Sequence, residues 1–172
     1  MSVEPGAAID REGKPLEDTV VKIFRNSKVV KGGRKFSFSA LVVVGDRDGC
    51  VGLGYGKAGE VPLSVDKGVK DAKKNLHRVN LSGRTIPHKI IGRSGATRVI
   101  LVPASPGTGV ISGSSARAVL ELAGVHDVLT KVIGNTSAKN VAKAALDGLD
   151  NLRSRERVES LRGVKIEPVK RW

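Results

Sequence analysis

Two segments rich in β-branched and aromatic residues flank a run of positive charge near the N-terminus. The segments, residues 20–24 and 36–44, are both predicted to be strands. From Lys22 to Lys35 the chain has no acidic residue and a central Gly32-Gly33 pair. The cations of this run are Lys22, Arg25, Lys28, Lys31, Arg34 and Lys35. A basic loop between two paired strands predicts a positively charged finger for a polyanion, and the alternative is a solvated surface.

The overall charge favours nucleic acid as that polyanion. The 30 Lys and Arg residues against 17 Asp and Glu give a net charge of +13, which destabilises a compact chain unless a polyanion neutralises it. An anionic membrane would also qualify, but no apolar run approaches the roughly 20 residues that span a bilayer, and no signal peptide is visible. Aromatic residues make up only 3% of the chain, too few to read single strands by stacking. Folded RNA, contacted through phosphates and 2′-hydroxyls, is therefore favoured.

The sequence shows no catalytic apparatus. Cys50 is the only cysteine, so neither an intrachain disulfide nor a cysteine metal cluster can form, and we expect a reducing, cytosolic compartment. The histidines His77, His88 and His126 lack the spacing of metal ligands, and no Ser-His-Asp or Cys-His arrangement is indicated. We expect a protein that is not an enzyme and has no metal, no cofactor and no small-molecule substrate.

The first half of the chain is predicted to hold three strands and one helix. A third strand over residues 50–56 follows a hairpin turn, and a helix begins at Pro62. Its apolar stripe is predicted to be Val65, Val69, Ala72, Leu76 and Val79. Its other face is basic and would meet phosphates or only water: Lys67, Lys70, Lys73, Lys74 and Arg78.

Glycine alternates along the third predicted strand, at Gly52, Gly54 and Gly56. The segment is not a phosphate-binding Walker motif, because its first glycine is misplaced and Ala58 replaces the Ser or Thr that holds magnesium. Alternating glycines permit another backbone to approach closely. We therefore predict a flat edge against RNA or against a neighbouring segment, with Lys57 as a phosphate contact.

The second half is predicted to contain roughly three strands and two helices. The strands are residues 86–91, 97–102 and 128–133, with residues 92–95 as a turn; one helix ends at Gly124 and the other spans residues 137–152. Residues 103–115 form a loop of small residues before the first of these helices, where free amides could bind an anion. Galactokinase-like kinases carry a similar loop. No carboxylate is evident nearby as a base or magnesium ligand, since Glu121 lies on the helix and Asp127 beyond it, so docking on a partner is favoured over phosphotransfer.

These patterns predict an α+β protein made of two small units. Residues 17–82 form the first unit and residues 85–152 the second. Residues 1–16 are an acidic leader that we expect to be mobile. Residues 153–172 are a charged tail that either contacts a partner or stays loose.

Several motifs resemble the bacterial small-subunit ribosomal protein S5 family. They occur in order between Glu17 and Leu152: residues 27–34, 36–38, 51–58, 103–105, 107–109 and 117–121. The resemblance implies a first domain like a double-stranded-RNA-binding domain, with three strands and a helix. It implies a second, small α/β sandwich domain with the fold of galactokinase-type kinases, which would account for the kinase-like loop without kinase activity.

The resemblance also implies a role in the ribosome. Members of this family bind small-subunit ribosomal RNA, contact ribosomal proteins S4 and S8, support decoding accuracy, and help messenger RNA to enter and unwind. The residues implied at the spectinomycin-sensitive RNA site are Ser27, Lys28, Val29, Lys31 and Gly32. The residues implied at the S4 interface are Gly109 and Arg117, with Gly107 beside them. Gly32 and Gly33 are expected to permit the bend of the finger. A free-standing double-stranded-RNA-binding regulator and a small-molecule kinase are the alternatives.

Overall fold

A computed structural model describes residues 15–166. This part of the chain contains two four-stranded sheets, in the orders β1-β2-β3-β4 and β5-β6-β8-β7, and four helices. The α+β prediction is confirmed. The first half contains β1 (Glu17–Val30), β2 (Gly33–Gly45), β3 (Cys50–Ala58), α1 (Val61–Lys74) and β4 (Leu76–Arg78). The second half contains β5 (Ile90–Ser94), β6 (Thr97–Pro103), β7 (Val110–Ile111), α2 (Ser114–Leu122), β8 (Val128–Gly134), α3 (Ala138–Asp150) and α4 (Arg155–Arg162).

The basic finger is a β-hairpin rather than a loop. The two flanking strands are confirmed, but β1 and β2 stay paired as far as Val30 and Gly33, and only Lys31 and Gly32 form the turn. The prediction of a basic loop is therefore wrong in its extent, because the β-branched and aromatic residues continue into the charged run and support strand pairing there. Of the two glycines, only Gly33 adopts a positive φ, at 139°, so it is the one whose missing side chain the turn requires.

The alternating glycines of β3 lie under helix α1. A Cβ atom at Gly54 would be 2.0 Å from the carbonyl oxygen of Gly68, and one at Gly56 would be 2.0 Å from that of Ser64. The strand is central, between β2 and β4. Of the two alternatives for this segment, the close approach of a neighbouring segment is confirmed and the flat edge against RNA is wrong.

The apolar stripe of α1 is confirmed over its first part only. Val65, Val69 and Ala72 pack against the alternate β2 residues Ala40, Val42 and Val44. The helix ends at Lys74, however, and Leu76 begins strand β4, which pairs with β3. The prediction that Leu76, Arg78 and Val79 lie on the helix is therefore wrong. Apolar residues continue at helical spacing, but pairing with β3 satisfies the backbone there and tertiary contacts override the local pattern.

The second sheet departs from the prediction at its first hairpin. Strand β5 includes Gly92, Arg93 and Ser94, which were predicted to form a turn, and residues 86–89 precede it outside any strand. Gly92 lies under α3, where a Cβ atom would be 1.9 Å from the carbonyl oxygen of Ala144. The contact that this glycine permits is with a helix distant in sequence, which local turn propensities could not indicate.

The other elements of the second half follow the prediction closely. Helices α2 and α3 and strand β8 are confirmed, and Gly124 ends the α2 segment with a φ of 87°. The two-residue strand β7 lies inside the predicted loop and pairs in parallel with β8. The charged tail forms helix α4, which has no buried residue and begins where the Ser154 hydroxyl accepts a hydrogen bond from the Arg157 amide. The predictions for residues 1–14 and 167–172 lie outside the described residues.

The two halves share one hydrophobic core. Leu41, Val43 and Val51 project from the first sheet on the side away from α1 and belong to the same buried cluster as Leu101 and Leu120. The β2–β3 turn is joined to the end of α2 by hydrogen bonds from the Arg47 amide to Leu122 and from the Gly49 amide to Ala123. The first sheet is therefore covered by α1 on one face and by the second half on the other.

Candidate nucleic-acid interface

The β1–β2 hairpin extends beyond the rest of the first sheet as a two-stranded ribbon, which we define as residues 25–38. Six residue pairs build it, from Arg25 opposite Phe38 to Val30 opposite Gly33. At about 3.3 Å per residue the ribbon is roughly 20 Å long. Its residues are exposed except for the half-buried Phe38. Most of the RNA contacts predicted from the sequence therefore lie on one projecting element.

The strand register divides these residues between two faces, because directly opposed residues share a side and neighbours alternate. The first, which we call the lysine face, lies on the same side of the sheet as Leu41. Its members at and beyond the base of the ribbon are Lys22, Phe24, Asn26, Lys28, Val30, Lys35 and Ser37. The second, which we call the arginine face, lies on the same side of the sheet as Ala40 and helix α1. Its members are Arg25, Ser27, Val29, Arg34, Phe36 and Phe38.

The lysine face brings two like charges together. Lys28 lies directly opposite Lys35, which places their Cβ atoms about 5 Å apart and makes the pair destabilising by itself. No acidic residue occurs in the sequence between Asp18 and Asp46 to relieve the repulsion. An anion bridging the two ammonium groups would turn this local cost into a favourable contact.

The remaining predicted RNA contacts lie on different sides of the first sheet. Lys57 shares the side of the lysine face, since it is paired with Ser39, and its Nζ lies 5.9 Å from the centre of the Tyr55 ring. The α1 lysines are exposed as predicted, but α1 covers the opposite side of the sheet. The α1 lysines in question are Lys67, Lys70, Lys73 and Lys74. Arg78 lies on β4, the edge strand farthest from β1.

The predicted protein-interface residues Gly109 and Arg117 are brought together in the second half. Both line an open groove of about 600 Å³, together with Arg47, Glu121 and His126. The Arg117 guanidinium donates a hydrogen bond to the Ser112 carbonyl at 3.2 Å. The third predicted residue, Gly107, lies two positions from Gly109 in the same loop.

The sequence did not indicate the role of Asp127, whose side chain holds this loop in place. One carboxylate oxygen accepts hydrogen bonds from the amides of Gly107 at 3.0 Å and Gly109 at 2.9 Å. The other accepts from Arg84 Nε at 3.3 Å. The Gly109 amide is the main cause of the lowered pKa of this carboxyl, with Arg84 and Gly107 acting in the same direction and burial opposing them. The amides of Gly107 and Gly109, which the sequence left available for an external anion, therefore bind the carboxylate of Asp127 instead.

The earlier inference that no carboxylate lies near the loop is thus wrong. Asp127 is separated from the loop by α2 in the sequence, but the antiparallel β6–β8 pair and the parallel β7–β8 pair return it to the loop. It is only 1% exposed. Its position immediately before an apolar strand was the only sequence signal, and that signal does not identify its partners.

A second cleft, of about 360 Å³, lies between the two halves. In it the Nδ1 atom of His77 lies 2.9 Å from a carboxylate oxygen of Asp150. Burial is the main cause of a raised pKa for Asp150; Asp147 acts in the same direction and His77 in the opposite one. Lys139 lies over the Tyr55 ring, with Nζ 4.1 Å from its centre. These contacts join the first sheet to α3.

Neither a metal centre nor a membrane span is found in the part of the chain that the structure describes. Over residues 15–166 no three His, Cys, Asp or Glu side chains are grouped so that they could hold a metal ion. None of the helices in that range has the length and apolar character needed to cross a bilayer.

A cationic ribbon that projects from a two-sheet α+β body is the architecture of a nucleic-acid-binding protein. Comparison with known proteins identifies the family. Residues 16–80 match the family model described as ribosomal protein S5, N-terminal domain, and residues 92–162 match ribosomal protein S5, C-terminal domain. The small ribosomal subunit protein uS5 of Syntrophobacter fumaroxidans (strain DSM 10017 / MPOB) is 51% identical over 163 residues, covering 95% of this chain and 98% of the relative. The chain belongs to the ribosomal protein S5 family, as its motifs indicated.

Proposed function

We propose that this protein is a structural constituent of the small ribosomal subunit and binds small-subunit ribosomal RNA through its ribbon. The observation that carries the proposal is the direct pairing of Lys28 with Lys35 on an exposed ribbon without acidic residues. That arrangement is costly in water and favourable against phosphates. Family membership supports the same role and a cytoplasmic location in the ribosome.

The far end of the ribbon is the part proposed to reach RNA near the decoding region. Ser27, Lys28 and Val29 belong to its outer pairs, and Lys31 and Gly32 form its turn. The cations Lys22, Arg25, Arg34 and Lys35, with Gly33 at the turn, complete this surface. The α1 lysines and Arg78 would make separate, weaker contacts, because they lie on another side or edge of the sheet.

The groove with Gly109 and Arg117 is proposed as the contact with ribosomal protein S4. Its floor is a loop held by the buried Asp127, so the partner would meet a preformed surface. It offers Arg117 and the Arg47–Glu17 ion pair beside the carboxylate of Glu121, which suits a partner with charges of both signs. Contact with S8, support of decoding accuracy, and a part in messenger entry and unwinding complete the proposal.

The ribbon's role can be tested with the variant Lys28→Gln/Lys35→Gln. Binding to small-subunit ribosomal RNA is measured at several salt concentrations. If both lysines neutralise phosphates, the slope of log affinity against log salt should fall by roughly 1.4–1.8, from about 0.7–0.9 per phosphate. The matched control is Lys131→Gln/Lys143→Gln, which removes the same charge from exposed sites of the second half.

The control decides whether the effect is local. If both double variants reduce the slope equally, binding follows net charge alone and the ribbon has no special role. Co-sedimentation with small subunits in a sucrose gradient separates a ribosomal constituent from a free-standing regulator, because only the constituent stays with the particle. Turnover of ATP by the purified protein would support the kinase alternative.

A further inference from the structure

The exposed apolar side chains of the ribbon are concentrated on its arginine face. Val29 is 73% exposed and Phe36 is 42% exposed, and Ile23 at the base of the same face is 43% exposed. On the lysine face, by contrast, the exposed residues next to the lysines are Asn26 and Ser37. Phe24 at the base of this face is half-buried, with Lys22 Nζ 5.6 Å from its ring centre, and Val30 at the tip is its one exposed large apolar side chain. One side of the ribbon is therefore suited to phosphates and the other to a less hydrated surface.

The cations are sorted in the same way. The strand lysines Lys22, Lys28 and Lys35 all lie on the lysine face, whereas Arg25 and Arg34 both lie on the arginine face. An ammonium group is a strongly hydrated point charge that contacts phosphates. A guanidinium group is planar and weakly hydrated, and it stacks on aromatic rings and nucleic-acid bases.

Arg25 and Phe36 already form such a stack. The guanidinium carbon of Arg25 lies 3.8 Å from the centre of the Phe36 ring. Both residues are exposed, so the stack is open to a further planar group. Val29 and Arg34, directly opposed farther out on the same face, extend this surface toward the tip.

We propose that the two faces recognise different parts of the RNA. The lysine face contacts phosphates, and the arginine face holds at least one unpaired nucleotide whose base stacks on the Arg25–Phe36 pair. A continuous duplex keeps its base faces covered, so this contact requires a bulge or an internal loop. The proposal rests on the proposed function, that the ribbon binds RNA, and adds which feature of a folded RNA it selects. It agrees with the scarcity of aromatic residues, since one stack suffices for one base.

The experiment compares two RNA probes: a hairpin with about 20 uninterrupted base pairs and the same hairpin with an internal loop of unpaired adenines. The intact chain should bind the interrupted hairpin more tightly. Phe36→Leu and Arg25→Lys should each reduce this preference, by about 5-fold or more if base stacking contributes at least about 1 kcal/mol. Neither change should alter the salt slope, because charge is conserved. Arg98→Lys, on an exposed site of the second sheet, is the matched control and should leave the preference unchanged.

The outcomes separate this inference from the function on which it rests. Lys28→Gln/Lys35→Gln should weaken binding to both probes and keep their ratio. If the intact chain binds both hairpins equally, or if Phe36→Leu and Arg25→Lys keep the preference, the division of roles is refuted while RNA binding stands. If the intact chain binds neither hairpin but still binds small-subunit ribosomal RNA, the division of roles is refuted while the proposed function stands. Loss of binding to that RNA as well would overturn both. Thermal unfolding midpoints close to that of the unaltered protein would show that the variants fold.

Discussion

Replacing Gly54 with alanine should push helix α1 off the first sheet. The new Cβ atom would lie 2.0 Å from the carbonyl oxygen of Gly68 and 2.5 Å from the amide nitrogen of Ala72, whereas ordinary contact begins at 3.4 Å. Both atoms belong to the helix backbone, so no side-chain rotation can relieve the overlap. The helix would have to retreat by roughly 1.4 Å, and a gap of even 0.5–1 Å forfeits about a quarter to a half of the dispersion energy between facing atoms.

The dispersion energy would be lost in the small cluster beneath α1, where Val65 and Val69 pack against Ala40, Val42 and Val44. Overpacking of a core costs about 1–3 kcal/mol, and occasionally more. Because the overlap is with two backbone atoms of the same helix, which cannot move independently, we expect a loss of about 3 kcal/mol or more in the free energy of unfolding. For a chain of this size that corresponds to a fall of about 6–12 °C in Tm.

The measurement is urea and thermal unfolding followed by circular dichroism. The control is Gly59→Ala, where a Cβ atom would meet nothing within 4 Å and φ is not positive. That variant should stay within about 0.5 kcal/mol of the unaltered protein. A loss for Gly54→Ala no larger than that of the control would refute the argument that close approach of α1 explains the glycines of β3.

Three further perturbations test the second half and the shared core. Gly109 has a φ of 76°, so Gly109→Ala should cost about 1–2 kcal/mol in unfolding experiments through backbone strain alone, with Gly59→Ala again as the reference. The pKa of Asp127 is lowered from 3.8 in the folded chain, so its contribution to stability is present above that value and is lost as pH falls toward the depressed pKa. Asp127→Asn should therefore lower Tm at neutral pH and make Tm fall less steeply as the pH is lowered. An unchanged dependence of Tm on acid pH would contradict the hydrogen bonds assigned to Asp127. Leu41→Ala, at a side chain only 1% exposed, should cost about 2–5 kcal/mol and shift one cooperative transition in a calorimetric scan; two separate transitions would contradict a shared core.

The sequence by itself determined the elements whose causes are local. The strand segments at residues 20–24 and 36–44, the helix that begins near Pro62 and the stop at Gly124 follow from β-propensity, proline geometry and the conformational freedom of glycine. The excess of positive charge between Lys22 and Lys35 is likewise readable residue by residue. The motifs also indicated the family, and the family matches confirmed it.

Only the tertiary structure decided what depends on residues far apart in the chain. Strand β4 exists because β3 offers backbone partners that the apolar spacing after Lys74 does not reveal. The role of Asp127 depends on β6, β7 and β8 returning it to the amides of Gly107 and Gly109. The sorting of lysines and arginines onto opposite faces depends on one register between β1 and β2, because a shift of one residue would exchange the faces. Such pairings are set by which surfaces can be buried together, and a local segment of sequence does not contain that information.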